Sequence, residues 1–168
     1  MDIVGLEVIR GDWAQVAKNV QEHVLEIILK EQSPKKAVDY VRSVIADLKH
    51  RKVPLHDLII WKTLTKAPED YAIKAPHVEA AKRLKEKGWR LTSGDKVGYV
   101  ILEGKGRLYS RVKPYVFAKN EEVDVDYYIT NQVLPAAARI LAFFDVTEAE
   151  LLKETKKTEE IRSLMDYV

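Results

Sequence analysis

Apolar side chains recur at helical spacing from the start of the readable pattern. Trp13, Val16, Ala17, Val20, Val24, Ile27 and Ile28 fall on one face, and Asp12 stands where a helix cap belongs. A second amphipathic stretch follows at once in SPKKAVDYVRSVIADLKH. There Ser33 is placed as the cap, Pro34 occupies the first helical position, and Ala37, Val38, Val41, Val44, Ile45 and Leu48 form the inner stripe. The short link between the two predicts a helical hairpin. Beyond it the period changes, and the run Leu58, Ile59, Ile60, Trp61 after Pro54 reads as a strand.

Prolines at 68 and 76 keep residues 65 to 76 irregular, because each removes an amide donor and fixes its own φ. A helix from His77 to Lys87 follows, ended by Gly88, with Val78, Ala81 and Leu84 inward. GDKVGYVILEG predicts a strand over Val97 to Leu102, closed by the glycines of GKG, and residues 103 to 125 read as a loop-rich excursion. The next long helical pattern holds Tyr128, Ile129, Gln132, Val133, Ala136, Ile140 and Phe143, with Tyr128 and Ile140 inward and Pro135 expected to kink or split it. Thr147 and Glu150 have the spacing of a capping box, predicting one more short helix. Together these elements predict an α+β fold, mainly helical: a helical bundle with a small β-sheet near Ile59 and Tyr99. The expected division is one domain over residues 1 to 152 and a charged, mobile tail over 153 to 168.

Composition narrows the classes. A chain of 168 residues with 46% hydrophobic and 32% charged residues can bury a core, and is far from the composition of disordered chains. It has no cysteine, so disulfides and thiolate metal sites are excluded. Its four histidines, His23, His50, His56 and His77, are scattered without metal-ligand spacing. No apolar run approaches the roughly 18 residues of a membrane span, and the first residues lack a basic stretch leading into an apolar one. A cytoplasmic location without membrane contact is the expectation.

Charge is uneven. The formal net charge is +2, yet Lys62 to Lys113 holds 13 Lys and Arg against 6 Asp and Glu, leaving 15 against 20 in the rest. A basic middle between acidic flanks is what a polyanion-binding face requires, since phosphate neutralisation needs clustered cations. A solvated helix face would produce the same count.

A search for catalytic chemistry finds none. The chain has no phosphate-cradling GxxxxGK[ST] loop, no nucleophile elbow and no carboxylate cluster suited to two metals. Gly104-Lys105-Gly106-Arg107 is either a plain strand-ending turn or a bare-backbone turn that lets a phosphate approach between two cations.

Four stretches carry a resemblance. TKAPEDYAIKAPHVEAAKRLKEKGW, GDKVGYVILEGKGR and VDYYITNQVLPAAARIL resemble, in order and spacing, three successive motifs of the thumb of archaeal and eukaryotic-type family B DNA polymerases. GLEVIRGDWAQVAKNVQEHVLEIIL resembles the segment by which those enzymes leave the palm for the thumb. The likeness runs from Gly5 to about Leu152. The family's exonuclease carboxylates, its SLYPS-type and KxxxNSxYG-type motifs and its YxDTD metal-binding carboxylates are all missing, as in a thumb expressed apart from palm, fingers and exonuclease, whether a split subunit or an excised fragment.

The resemblance implies a non-catalytic element that grips primer-template duplex along its phosphates and minor groove. No catalytic or metal-binding residue is expected, and no cofactor in this chain; the divalent metal belongs to a catalytic family B partner. Thr65, Lys66, Tyr71, Lys74 and His77 fall to the DNA-facing loop, Lys105 and Arg107 to a second contact loop, with Arg83 and Arg111 added. Two of these have ordinary readings as well: Tyr71 as a cover for the core, His77 as a residue bonding backbone in its helix. Tyr127, Tyr128, Asn131, Gln132 and Arg139 match the last motif and belong mainly to helix packing, and Lys82, Lys85 and Lys87 to a solubilising surface. Ile161, Leu164, Tyr167 and Val168 occupy the four key places of a sliding-clamp peptide whose glutamine is absent, so a clamp is a further expected partner. The rival reading is a protein-interaction module that docks on a catalytic polymerase subunit with little DNA contact of its own, using the acidic flanks.

Overall fold

The computed structural model describes residues 13 to 153. Helix α1 spans Gln15–Glu31 and α2 spans Pro34–Lys49. Ser33 caps α2 by accepting the Lys36 amide at 3.2 Å, with Pro34 at the first position, as the sequence predicts. The two helices pack on each other through Val16, Val20 and Val24 of one and Val41, Ile45 and Leu48 of the other.

Asp12 lies outside the described residues, and the start of α1 is served from far along the chain. The Ala14 amide donates to Gln132 Oε1 at 2.9 Å, a pairing across 118 residues. Gln132 is 2% exposed, so this bond satisfies groups that burial would otherwise strand.

Three antiparallel strands, β1 (Ile60–Thr63), β2 (Lys96–Ile101) and β3 (Val112–Pro114), form a sheet in that order. Ile60 lies opposite Tyr99, Trp61 opposite Gly98, and Tyr99 opposite Pro114. The expected strands β1 and β2 are present. β3 corrects the loop reading of residues 103 to 125: a three-residue edge strand ending in proline carries too little alternation to be seen, and the ladder of β2 supplies its bonds.

Helix α3 (Pro76–Glu86) packs on β2 and β3. It begins one residue earlier than predicted, since Pro76 fits the first helical turn, and it is followed by Gly88 at φ +93.

The last long helical stretch departs from expectation. It runs unbroken through α4 (Val125–Tyr127), a π-helical turn over Tyr128–Val133, and α5 (Leu134–Leu141). The Leu134 amide bonds the Ile129 carbonyl, five residues back. Widening the turn just ahead of Pro135 accommodates a residue with no amide donor, so the helix is not split there. Phe143, expected inward, is 78% exposed, because α5 ends at Leu141 and the tighter turn over Ala142–Phe144 shifts the phase. Thr147 caps α6 (Glu148–Leu152), accepting the Glu150 amide.

Tyr128 joins helices to sheet. Fully buried, its hydroxyl donates to the Leu58 carbonyl at 2.6 Å and accepts from the Ile101 amide at 3.2 Å. Burial pushes its ionisation far upward, so it stays neutral in this role. The architecture is α+β and mainly helical, as predicted.

Candidate nucleic-acid interface

The first loop leaves β1 at Leu64, which is buried and held at both backbone groups: its amide donates to the Asp95 carbonyl at 2.8 Å, and its carbonyl accepts from Gly94 at 2.7 Å. Pro68 is also buried and starts a tight turn over Pro68–Asp70. These anchors leave the intervening polar side chains outward.

Thr65 and Tyr71 close the loop on itself. The Thr65 amide donates to the Tyr71 hydroxyl at 2.8 Å, and the Thr65 hydroxyl lies 3.1 Å from the same oxygen. Ser93 donates to the Thr65 carbonyl from the neighbouring turn. The Thr65 hydrogen bonds, with a smaller contribution from Lys66, hold the Tyr71 phenol below its ordinary pKa. Lys66 Nζ stands 5.3 Å over the Tyr71 ring, and His77 meets that ring edge-on at 5.6 Å. His77 is 7% exposed; burial first, and then the charge of Lys62, lower its pKa, so it is neutral at pH 7. Tyr71 is thus partly packed and partly presented, and His77 supports the loop from behind.

The second loop is built on glycine. Gly104 and Gly106 have φ of +150 and +107, values that a side chain disfavours. A tight turn over Leu108–Ser110 follows, and the Ser110 amide and hydroxyl both donate to the Arg107 carbonyl. Lys74 Nζ lies 5.6 Å from the Tyr109 ring, so the two loops, separated in sequence, adjoin in space.

The nine predicted interface residues divide by what surrounds them. Lys66, Lys74, Lys105 and Arg107 are exposed, and none has a carboxylate within ion-pair distance among the described residues. Arg83 and Arg111 are engaged by the fold. Arg83 donates to the Val112 carbonyl, and Arg111 donates to Asp124 at 2.7 Å and to the Leu102 carbonyl at 3.0 Å. Lys82 and Lys85 pair with Glu79 and Glu69. Ile161, Leu164, Tyr167 and Val168 lie outside the described residues.

Sequence reasoning passed over Lys62, Ser93 and Tyr109. Tyr109 was legible in principle, two residues after Arg107 in an exposed turn; the bond from Ser93 to Thr65 carried no local signal. Among the described residues no group of three His, Asp or Glu side chains is placed to hold a metal ion, and no helix is long and apolar enough to cross a membrane. The arrangement is suited to holding an anionic polymer by charge and shape, with neutral aromatic groups beneath the cations.

Comparison with known proteins places the chain in a family. The family model for DNA polymerase family B matches residues 1–144. The chain is 50% identical to DNA polymerase 2 of Aeropyrum pernix over 151 residues, which is 90% of this chain and 19% of that protein. It is 43% identical to the DNA polymerase of Methanocaldococcus jannaschii over 152 residues, 90% of this chain and 9% of that protein. Among solved structures, the family B DNA polymerase of Pyrobaculum calidifontis matches with a TM-score of 0.70 and 48% identity, covering 77% of this chain and 18% of the other. The chain therefore spans less than a fifth of the length of these relatives. A match over most of its residues, with a shared fold at this identity, makes the chain a member of DNA polymerase family B.

Proposed function

We propose that this chain is the thumb of a family B DNA-directed DNA polymerase, a non-catalytic part that grips the primer-template duplex and so supports processive replication. The observation that carries the reading is the set of four exposed cations, Lys66, Lys74, Lys105 and Arg107, without a carboxylate partner among the described residues, on two loops that adjoin through Lys74 and Tyr109. Each such cation releases counterions when it meets a phosphate, so binding is strong at low salt and indifferent to base sequence. Thr65, Tyr71 and His77 hold the first loop in shape, while Arg83 and Arg111 set the sheet and strand from which the second loop springs. Nucleotidyl transfer and its divalent metal ions belong to the catalytic part of the enzyme, in the cytoplasm. Ile161, Leu164, Tyr167 and Val168 are proposed to reach a sliding clamp.

The test is duplex binding by the chain itself, followed by fluorescence anisotropy over a salt series. Charge reversal at Lys66, Lys74 and Arg107 weakens binding and flattens the salt dependence. A protein-docking module with incidental DNA contact is indifferent to those three changes, and that outcome overturns the proposal. Adding the chain to a polymerase lacking its thumb restores primer extension if the reading is right.

A further inference from the structure

The part of the sheet face that α3 leaves open carries an aromatic cleft. Trp61 stands opposite Gly98 in the β1–β2 ladder, and the rings of Trp61 and Tyr115 lie over that glycine. A Cβ at Gly98 would sit 2.8 Å from Trp61 Cζ3 and 2.8 Å from Tyr115 Cδ1, so only glycine allows the two rings to settle there. Their centroids are 5.2 Å apart at 57°. Leu84 near the end of α3, with Trp89 and Leu91 after it, forms the other wall, and Lys96 is the one charged side chain in the lining.

Burial does not account for these rings. Trp61 is 44% exposed and Trp89 49%, whereas Trp13, the third tryptophan, is 5% exposed in a separate small cluster with Ala17 and Ala136. The cation of the cleft is Lys96, which shares the Trp61 and Gly98 face of the sheet, whereas Lys62 and Arg90, though next to Trp61 and Trp89 in sequence, are not in the lining. Lys96 is exposed and has no carboxylate partner among the described residues.

Open indoles beside an exposed cation select a ligand that offers both flat π faces and negative charge. Duplex DNA hides its base faces in the stack. An unpaired strand presents both, and stacking on aromatic side chains with backbone neutralisation is how sequence-tolerant single-strand sites work. We propose that this cleft binds single-stranded DNA, with bases stacking on Trp61 and Trp89 while Lys96 meets the phosphate backbone between them. The site uses none of Lys66, Lys74, Lys105 or Arg107, so it stands or falls apart from the duplex-gripping reading.

The experiment titrates the chain with a fluorescein-labelled oligothymidylate of about ten nucleotides at low salt, following anisotropy and intrinsic tryptophan emission. Binding quenches the emission; Trp61→Ala and Trp89→Ala each weaken affinity about fivefold or more. Trp61→Phe, which keeps a stacking ring, retains most of it. Should Trp61→Ala fail to fold, Lys96→Glu, at an exposed position, carries the test and weakens binding several-fold. Duplex binding is unchanged in the Trp89→Ala chain. The proposal is overturned if the oligonucleotide binds the Trp89→Ala and Lys96→Glu chains as tightly as the parent. It is equally overturned if polyglutamate displaces the oligonucleotide at matched charge concentration, since the cleft would then be an acidic-protein contact.

Discussion

Lys74 Nζ rests 5.6 Å from the centre of the Tyr109 ring, joining two loops that leave different strands. A cation over an aromatic face at an exposed site contributes about 0.5–1 kcal/mol. That is enough to bias where the ammonium waits, and too little to hold it against a phosphate. Tyr109→Ala should therefore leave thermal stability nearly unchanged and weaken duplex binding about two- to fivefold. A double-mutant cycle with Lys74→Met, read by anisotropy, should return a coupling of similar size.

The cations divide into two groups with separable consequences. Replacing Lys66, Lys105 or Arg107 by methionine should each lower the slope of log affinity against log salt by about 0.9, with no change in melting temperature. Arg111→Met should do the reverse. It strips the ion-pair partner from Asp124, whose side chain is 20% exposed and keeps only the Tyr127 amide among the described residues, and about 2 kcal/mol of stability should go with it. Salt titration and chemical denaturation on the same four proteins distinguish the groups.

Removing one oxygen at Tyr128 should matter more than its size suggests. Tyr128→Phe leaves the Leu58 carbonyl and the Ile101 amide without their partner in a buried setting. The cost is about 1–3 kcal/mol, measurable by urea denaturation.

Gly98→Ala tests the aromatic cleft as a piece of packing. The added carbon meets two rings at 2.8 Å, so either the sheet is strained by about 1–3 kcal/mol or Trp61 is displaced. Melting temperature and the tryptophan emission maximum should shift together.

His77 makes stability depend on pH. Burial, then Lys62, lower its pKa from the ordinary 6.5 in the folded protein. Below about pH 6.5 the unfolded chain takes up a proton that the folded chain refuses, so stability falls as the pH drops from there to the lower folded value. Above that window the group has no effect. His77→Gln should flatten the decline, seen by comparing unfolding free energies at pH 7.5 and 5.5.

Much of this was legible from local pattern, where the cause of a structure is itself local. Ser33 with Pro34, and Thr147 three residues before Glu150, lie next to the amides they serve, and both caps form as read. The strands around Ile60 and Tyr99 announced themselves by β-branched and aromatic runs. What failed to show depends on distant partners. β3 exists because β2 lends it a ladder, and the helix around Pro135 survives because a widened turn absorbs the missing donor. The basic segment from Lys62 to Lys113 contains the exposed cations of both loops, but a count of charges does not tell an arginine tied to Asp124 from a lysine left open. Nor does the spacing of Lys74 and Tyr109 in the chain foretell that they meet.

The amide of Ala14 has a temporal consequence. Its acceptor, Gln132, is polymerised 118 residues later. On the ribosome the opening turn of the first helix is therefore satisfied by water until Gln132 has emerged. Sealing that end comes after the hairpin and the sheet have been made, and it closes a loop of 118 residues, the kind of long-range closure whose entropy slows folding.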